Sequence, residues 1–174
     1  MEELVRRRAE LSLLVVDAHD LARWAPTRPD LVTPNVAEAA ALLGVPVLAD
    51  DRIATFTARR DALLAGSGAG AVALTADRDG ALVLTADADE GVHRTWTAPV
   101  PDLQAAGAGD AFVAALTLGT QAGLAAAAAV EFAQAAAEVA VAGSGYFGVQ
   151  RCCAGRPAGQ APVSPQWPMA SWSE

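Results

Sequence analysis

Leu31-Val32-Thr33-Pro34-Asn35-Val36-Ala37-Glu38, running on through Ala39-Ala40-Ala41-Leu42-Leu43 to Gly44, packs a strand, a stop and a capped helix into one short stretch. Leu31-Val32-Thr33 is apolar and β-branched, as a buried strand requires. Pro34 cannot donate to a ladder and ends it. Asn35 with Glu38 three residues later has the spacing of a capping box, which opens the helix, and Gly44 suits its C-terminal cap. A strand that feeds a helix is the repeating half of an α/β layer.

The same alternation extends in both directions. Upstream, Glu2 to Leu11 reads as a short amphipathic helix, and Leu13-Leu14-Val15-Val16 as a strand buried on both faces and ending in Asp17. A short helix is expected over Asp20 to Trp24. Downstream, a helix starts at Asp50-Asp51, runs to about Leu64 and ends in Gly66-Ser67-Gly68-Ala69-Gly70. That glycine run follows a helix and precedes a strand, so it is a helix end and not a dinucleotide loop, which has the reverse context. Ala71 to Thr75 and Ala81 to Thr85 read as strands joined by a turn at Asp77-Arg78-Asp79-Gly80, and a third strand spans about Val92 to Thr97. Helices follow over about Gly109 to Gln121 and Leu124 to Ala142. The expected fold class is α/β, a largely parallel sheet flanked by helices.

Composition narrows the function. The chain has 174 residues, enough for one domain with a core, and is 53% hydrophobic and 18% charged, which excludes a disordered acidic protein. A net charge of −8 argues against a nucleic-acid or anionic-membrane surface, and Arg6-Arg7-Arg8 is too short to reverse it. Cys152 and Cys153 are adjacent, a poor disulfide staple without metal-ligand spacing, so a reducing cytoplasmic setting is expected. The charged start Met1-Glu2-Glu3-Leu4 is no signal peptide, and Glu131, Gln134 and Glu138 interrupt the Ala-rich stretch, so no membrane span is expected. Residues 1–145 form the domain. The remainder, 146–174, is read as an irregular tail: Arg151 to Glu174 carries four prolines and two tryptophans without periodicity, as a divergent or frame-shifted end would.

Gly107-Ala108-Gly109-Asp110, followed by Ala111-Phe112-Val113-Ala114-Ala115-Leu116, carries the most chemistry. Unpaired N–H groups at a helix start suit an anion. A carboxylate beside them can take a proton from a hydroxyl that attacks phosphorus. The plainer alternative is a loop with an Asp N-cap. Asn35 and Glu38 likewise have two readings: a capping box alone, or polar groups at a strand's carboxyl end that order magnesium or its waters. Asp87-Ala88-Asp89-Glu90-Gly91 lacks the full calcium-loop spacing and reads as a turn, and His19 and His93 are isolated from other ligand types.

Three segments occur in one order: Leu31 to Gly44 with Thr33-Pro34-Asn35-x-x-Glu38, then Val72-Ala73-Leu74-Thr75-x4-Gly80, then Ala106-Gly107-Ala108-Gly109-Asp110-Ala111-Phe112. The ordered set, over about Leu13 to Val141, resembles the C-terminal half of PfkB-type (ribokinase-like) carbohydrate kinases. With Val15-Val16-Asp17, the Thr33-Pro34-Asn35 wording looks most like the kinase module of bacterial heptose-phosphate kinases and ADP-heptose synthases. The resemblance implies a three-layer fold, truncated at its N-terminal side, and ATP-dependent phosphoryl transfer to a sugar or sugar phosphate. It implies Asp110 as base, the N–H groups of Gly107, Ala108 and Gly109 as anion hole, and Asn35 and Glu38 near magnesium and phosphates. It also implies Thr75 and Gly80 by the nucleotide, with the helix after Leu124 walling the adenine side.

The sequence departs from that pattern in three places. Gln104-Ala105-Ala106 replaces the family's Asp and Thr, which puts a monovalent-cation site in question. Gln134 stands where the family often has a nucleotide-side Asn. The sugar-binding half of the family fold has no counterpart here, so a non-catalytic remnant that binds nucleotide or another chain is the alternative. A sheet cut on that side leaves an apolar edge beside Leu13 to Val16, and a homodimer through it is expected.

Overall fold

Side-chain alternation along two five-residue strands, β3 (Ala71–Thr75) and β4 (Ala81–Thr85), sorts the core into two layers. The computed structural model describes residues 1–46, 51–87, 91–97 and 107–142. Val72 and Leu74 of β3 and Leu82 and Leu84 of β4 pack with Ala39, Ala40, Phe56, Leu63 and Leu64 on one face. Ala73, Ala81 and Val83 pack with Phe112, Ala115, Leu116, Ala129, Val130 and Ala133 on the other. The first face is covered by α2 (Leu21–Trp24), α3 (Val36–Leu43), α4 (Arg52–Ala58) and α5 (Arg60–Ser67); the second by α6 (Ala108–Gln121) and α7 (Ala126–Ala142). Helices therefore flank the sheet in three layers, as expected. Leu63, Leu74, Leu82, Leu84 and Leu116 are fully buried, each stabilising by about 1.5–3 kcal/mol. The second face is built of small residues, so α6 and α7 pack closely: a Cβ on Gly119 would lie 3.5 Å from Ala129.

The sheet runs β1-β2-β3-β4-β5, with β1 at Val15–Val16, β2 at Leu31–Val32 and β5 at Val92–Arg94. Pairing is parallel from β1 to β3, with Val16 opposite Val32 and Val32 opposite Val72. It is antiparallel from β3 to β5. The largely parallel sheet expected from sequence is thus a mixed one. The cause is the turn after β3: Asp77–Asp79 is a single 3-10 turn, too short for a crossover, so β4 must return alongside β3.

Other boundaries shift for local reasons. The helix read from Asp51 to Leu64 is two helices, broken at Arg59 where φ is −109° and ψ is 19°. The N-terminal helix α1 stops at Arg6, and a 3-10 turn covers Arg8–Glu10. Leu14 lies outside the ladder; its carbonyl accepts from the N–H groups of Asp30 and Leu31 at 2.9 and 3.3 Å. Gly68 caps α5 immediately before β3, as the glycine run predicted. Among the described residues no helix is long and apolar enough to cross a membrane. The boundary at residue 145, the tail, Cys152, Cys153 and Gln104 to Ala106 lie outside the described residues.

Candidate functional site

Helix α6 runs antiparallel to β1: the Ser12 hydroxyl, just ahead of that strand, reaches Oε1 of Gln121 at the helix's C-terminal end at 3.4 Å. Its N-terminus therefore lies toward the carboxyl ends of β1, β2 and β3. Several polar groups share that end. The Thr33 hydroxyl donates to Oδ1 of Asp17 at 3.0 Å. Asn35 forms an isolated parallel bridge with Thr75, whose N–H donates to the Pro34 carbonyl at 2.9 Å. The fold thus places Asp17, Thr33, Asn35, Thr75 and the Gly107 loop on the side where open α/β sheets take ligands.

Gly107 is the N-cap of α6, with φ +86°, and its carbonyl accepts from the Ala111 N–H at 3.1 Å. A left-handed N-cap calls for glycine. Asp110 is the third residue of the helix and is exposed, so it is not the N-cap that the plainer reading required. The N–H groups of Ala108, Gly109 and Asp110 belong to the first turn, which lacks intrahelical acceptors. Among the described residues a Cβ added to Gly109 would meet nothing within 4 Å. Among the described residues neither φ nor packing demands a glycine there, yet a side chain would occupy the space in front of the helix start. Gly109→Ala is therefore expected to keep stability or raise it by up to about 1 kcal/mol. Nucleotide affinity should fall; denaturant unfolding and calorimetric titration with ATP–magnesium measure the two effects.

The capping box is present. The Asn35 side chain accepts from the Glu38 N–H and Glu38 Oε2 accepts from the Asn35 N–H, each at 2.9 Å. Such a cap stabilises by about 1 kcal/mol. Glu38 Oε1 lies 2.6 Å from His19 Nδ1. His19, isolated in sequence, is a direct neighbour of Glu38 in space. Among the described residues no group of three or more His, Cys, Asp or Glu could hold a metal ion. Asn35 and Glu38 offer hard oxygen donors, which suit magnesium when phosphates and water complete its shell.

The model for pfkB family carbohydrate kinases matches residues 12–147. The chain belongs to the pfkB family of carbohydrate kinases. A search of curated proteins gives no match. Among solved structures, phosphofructokinase-2 from Escherichia coli in complex with substrates and products is 24% identical, with a TM-score of 0.65 over 80% of this chain and 46% of that one. The tetrameric inhibited form of the same enzyme is 22% identical, TM-score 0.63, covering 86% and 50%. Arabidopsis thaliana ribokinase complexed with ribose and ATP is 20% identical, TM-score 0.62, covering 80% and 46%. These likenesses show the fold, and the chain spans about half the length of those proteins.

Within this pfkB family fold, Gly80 and Gln134 also lie at the carboxyl end of the sheet. Thr75 pairs with Ala81 across the β3–β4 turn that Gly80 closes, and the Thr95 hydroxyl donates to Gln134 Oε1 at 3.2 Å. The Gln134 amide in turn donates to Glu138 at 3.3 Å.

Sequence reading missed the ionic clamp on that turn. Arg52 donates from Nε to Asp79 Oδ2 at 2.5 Å, from Nη2 to the Ala76 carbonyl at 2.9 Å and from Nη1 to Asp77 at 3.4 Å. Arg94 donates to the Asp79 carbonyl at 3.0 and 3.2 Å and stacks over Trp96. The hydrogen bond from Arg52 outweighs desolvation, and with the charges of Arg52, Arg78 and Arg94 it holds the Asp79 carboxyl below its ordinary range. A depressed carboxylate contributes stability above its unfolded value and loses it as pH falls through the lower folded value. Stability is thus expected to drop below about pH 4. Asp79→Asn should remove that part of the slope in urea unfolding followed against pH.

Proposed function

We propose that this chain carries the nucleotide-and-base half of an ATP-dependent kinase acting on a hydroxyl of a sugar or sugar phosphate. One observation carries the proposal: Asp110 is an exposed carboxylate in the first turn of α6, whose glycine-initiated N-terminus lies toward the carboxyl end of the sheet. Asp110 takes the proton from the acceptor hydroxyl as its oxygen forms a bond to the γ-phosphorus. The bond from that phosphorus to the bridging oxygen breaks, and ADP leaves with the electron pair. The N–H groups of the Gly107, Ala108 and Gly109 loop stabilise charge on the transferring group. Thr75, Gly80 and Gln134 line the nucleotide side, and Asn35 and Glu38 face the phosphates. Asn35 and Glu38 would hold magnesium, directly or through water, and the bound ion would neutralise charge on the phosphate oxygens.

The pairing of ATP with a sugar is supported by ribokinase from Arabidopsis thaliana, described with ribose and ATP. Heptose phosphate is our favoured acceptor, on the wording of Val15-Val16-Asp17 and Thr33-Pro34-Asn35. A screen of sugars and sugar phosphates for acceptance of the ATP γ-phosphate tests it: turnover on heptose phosphate supports the reading, and turnover only on other sugars removes that acceptor.

A second reading, a non-catalytic nucleotide binder, is favoured by Gln104-Ala105-Ala106, where the family's Asp and Thr are replaced. ATP–magnesium binding without transfer to any acceptor would select it. A cytoplasmic setting is compatible with either reading and rests on the adjacent, unstapled Cys152 and Cys153.

Among the described residues strand β1 has a neighbour on one side only, β2, and its Val15 is half-buried. An open edge of this kind recruits another strand. Self-association through β1 is expected, with the sedimentation coefficient rising with concentration; a monomer across that range would contradict it. One relative, phosphofructokinase-2 from Escherichia coli, has a tetrameric inhibited form.

A further inference from the structure

The β3–β4 turn is held more tightly than its length requires. Asp77 is in the left-handed region at φ +49° and Gly80 at φ +82°, conformations that Asp tolerates and glycine adopts freely. The Ala76 N–H closes the turn on the Gly80 carbonyl at 2.8 Å. All three acceptors of Arg52 fall within Ala76 to Asp79, the stretch between Thr75 and Gly80. The Arg52 side chain is only 15% exposed, although Asp77 is 81% exposed. Helix α4 is already anchored by Phe56, which is 2% exposed. The partly buried Arg52–Asp79 pair contributes some stability, and its bonds to three acceptors within four residues also fix the geometry of the turn. That geometry sits beside Thr75, which is bridged to Asn35.

We infer that Arg52 is a positioning residue for the nucleotide: through Asp79 and the Ala76 carbonyl it sets the turn that presents Thr75 and Gly80 to the nucleotide. The inference rests on the nucleotide reading proposed above. It assigns Arg52 no contact with nucleotide. Its effect travels through the turn, so it should act on affinity separately from global stability.

Calorimetric titration of the full chain with ATP–magnesium, beside thermal melts, tests this in wild type, Arg52→Ala, Arg52→Lys, Asp79→Asn and the double variant Arg52→Ala with Asp79→Asn. Arg52→Ala and Asp79→Asn should each weaken binding by about tenfold at temperatures where both remain folded. The double variant should be little weaker than either single one, because both act through one contact. Arg52→Lys should recover part of the affinity, keeping the charge and losing the fork. Unchanged affinity in a folded Asp79→Asn variant, or a lowered melting temperature with unchanged affinity in Arg52→Lys, overturns the inference and leaves the kinase reading standing. Failure of wild type itself to bind ATP–magnesium overturns the kinase reading, and the inference falls with it.

Discussion

Asp110→Asn is expected to lower phosphoryl transfer by about 10²- to 10⁴-fold, the usual contribution of a positioned general base. The substitution keeps the shape of the side chain and removes its ability to accept a proton. Asp110 is exposed at the third position of α6, so no packing is lost. Losing a negative charge near a helix N-terminus costs about 0.3–1 kcal/mol, small beside the stability of a domain. An interaction made only as the hydroxyl attacks leaves ground-state binding intact, so ATP–magnesium affinity should stay within about twofold. The measurement is initial rate against ATP at saturating acceptor. A variant that keeps the wild-type rate would remove Asp110 from the chemistry.

Gly80→Ala is expected to destabilise the fold by about 3 kcal/mol or more, combining backbone strain with overpacking. The φ of +82° and ψ of −144° at Gly80 fall where side chains are disfavoured. A Cβ there would stand 2.2 Å from the Thr95 carbonyl oxygen and 2.8 Å from its carbon. Thr95 has no room to retreat. It is fully buried, its N–H donates to the Ala81 carbonyl at 2.8 Å, and its hydroxyl accepts from the Ala81 N–H at 2.9 Å. Urea unfolding measures the effect, and a change under about 0.5 kcal/mol, typical of an indifferent surface site, would contradict it. The contrast with Gly109 is informative. Both glycines belong to the family pattern, but one is required by the fold and the other leaves open space.

The parts of the fold that were legible in sequence are those decided by neighbours along the chain. Thr33-Pro34-Asn35 with Glu38 announces a strand end and a capped helix, and both form as read. Gly68 before Ala71 announces a helix end followed by a strand. The antiparallel return of β4 was implicit in the short Asp77 to Gly80 turn, yet the α/β alternation around it suggested a mainly parallel sheet. The break at Arg59 has no glycine or proline to mark it. The ion pair of Arg52 with Asp79 and the hydrogen bond between His19 and Glu38 join residues 27 and 19 apart, and no local spacing signals them. Glycine in the Gly107 loop was visible, but only the structure separates its N-cap role at 107 from the open position at 109.

The proposed phosphate cradle is the first turn of α6, which opens at Gly107. Backbone amide NMR of the full chain, titrated with ATP–magnesium, tests it most directly. The largest shift changes are expected at Ala108, Gly109 and Asp110, with smaller ones at Thr75 and Gly80. Saturable binding that leaves those amides unmoved, or shifts confined to residues away from the carboxyl end of the sheet, would contradict the account.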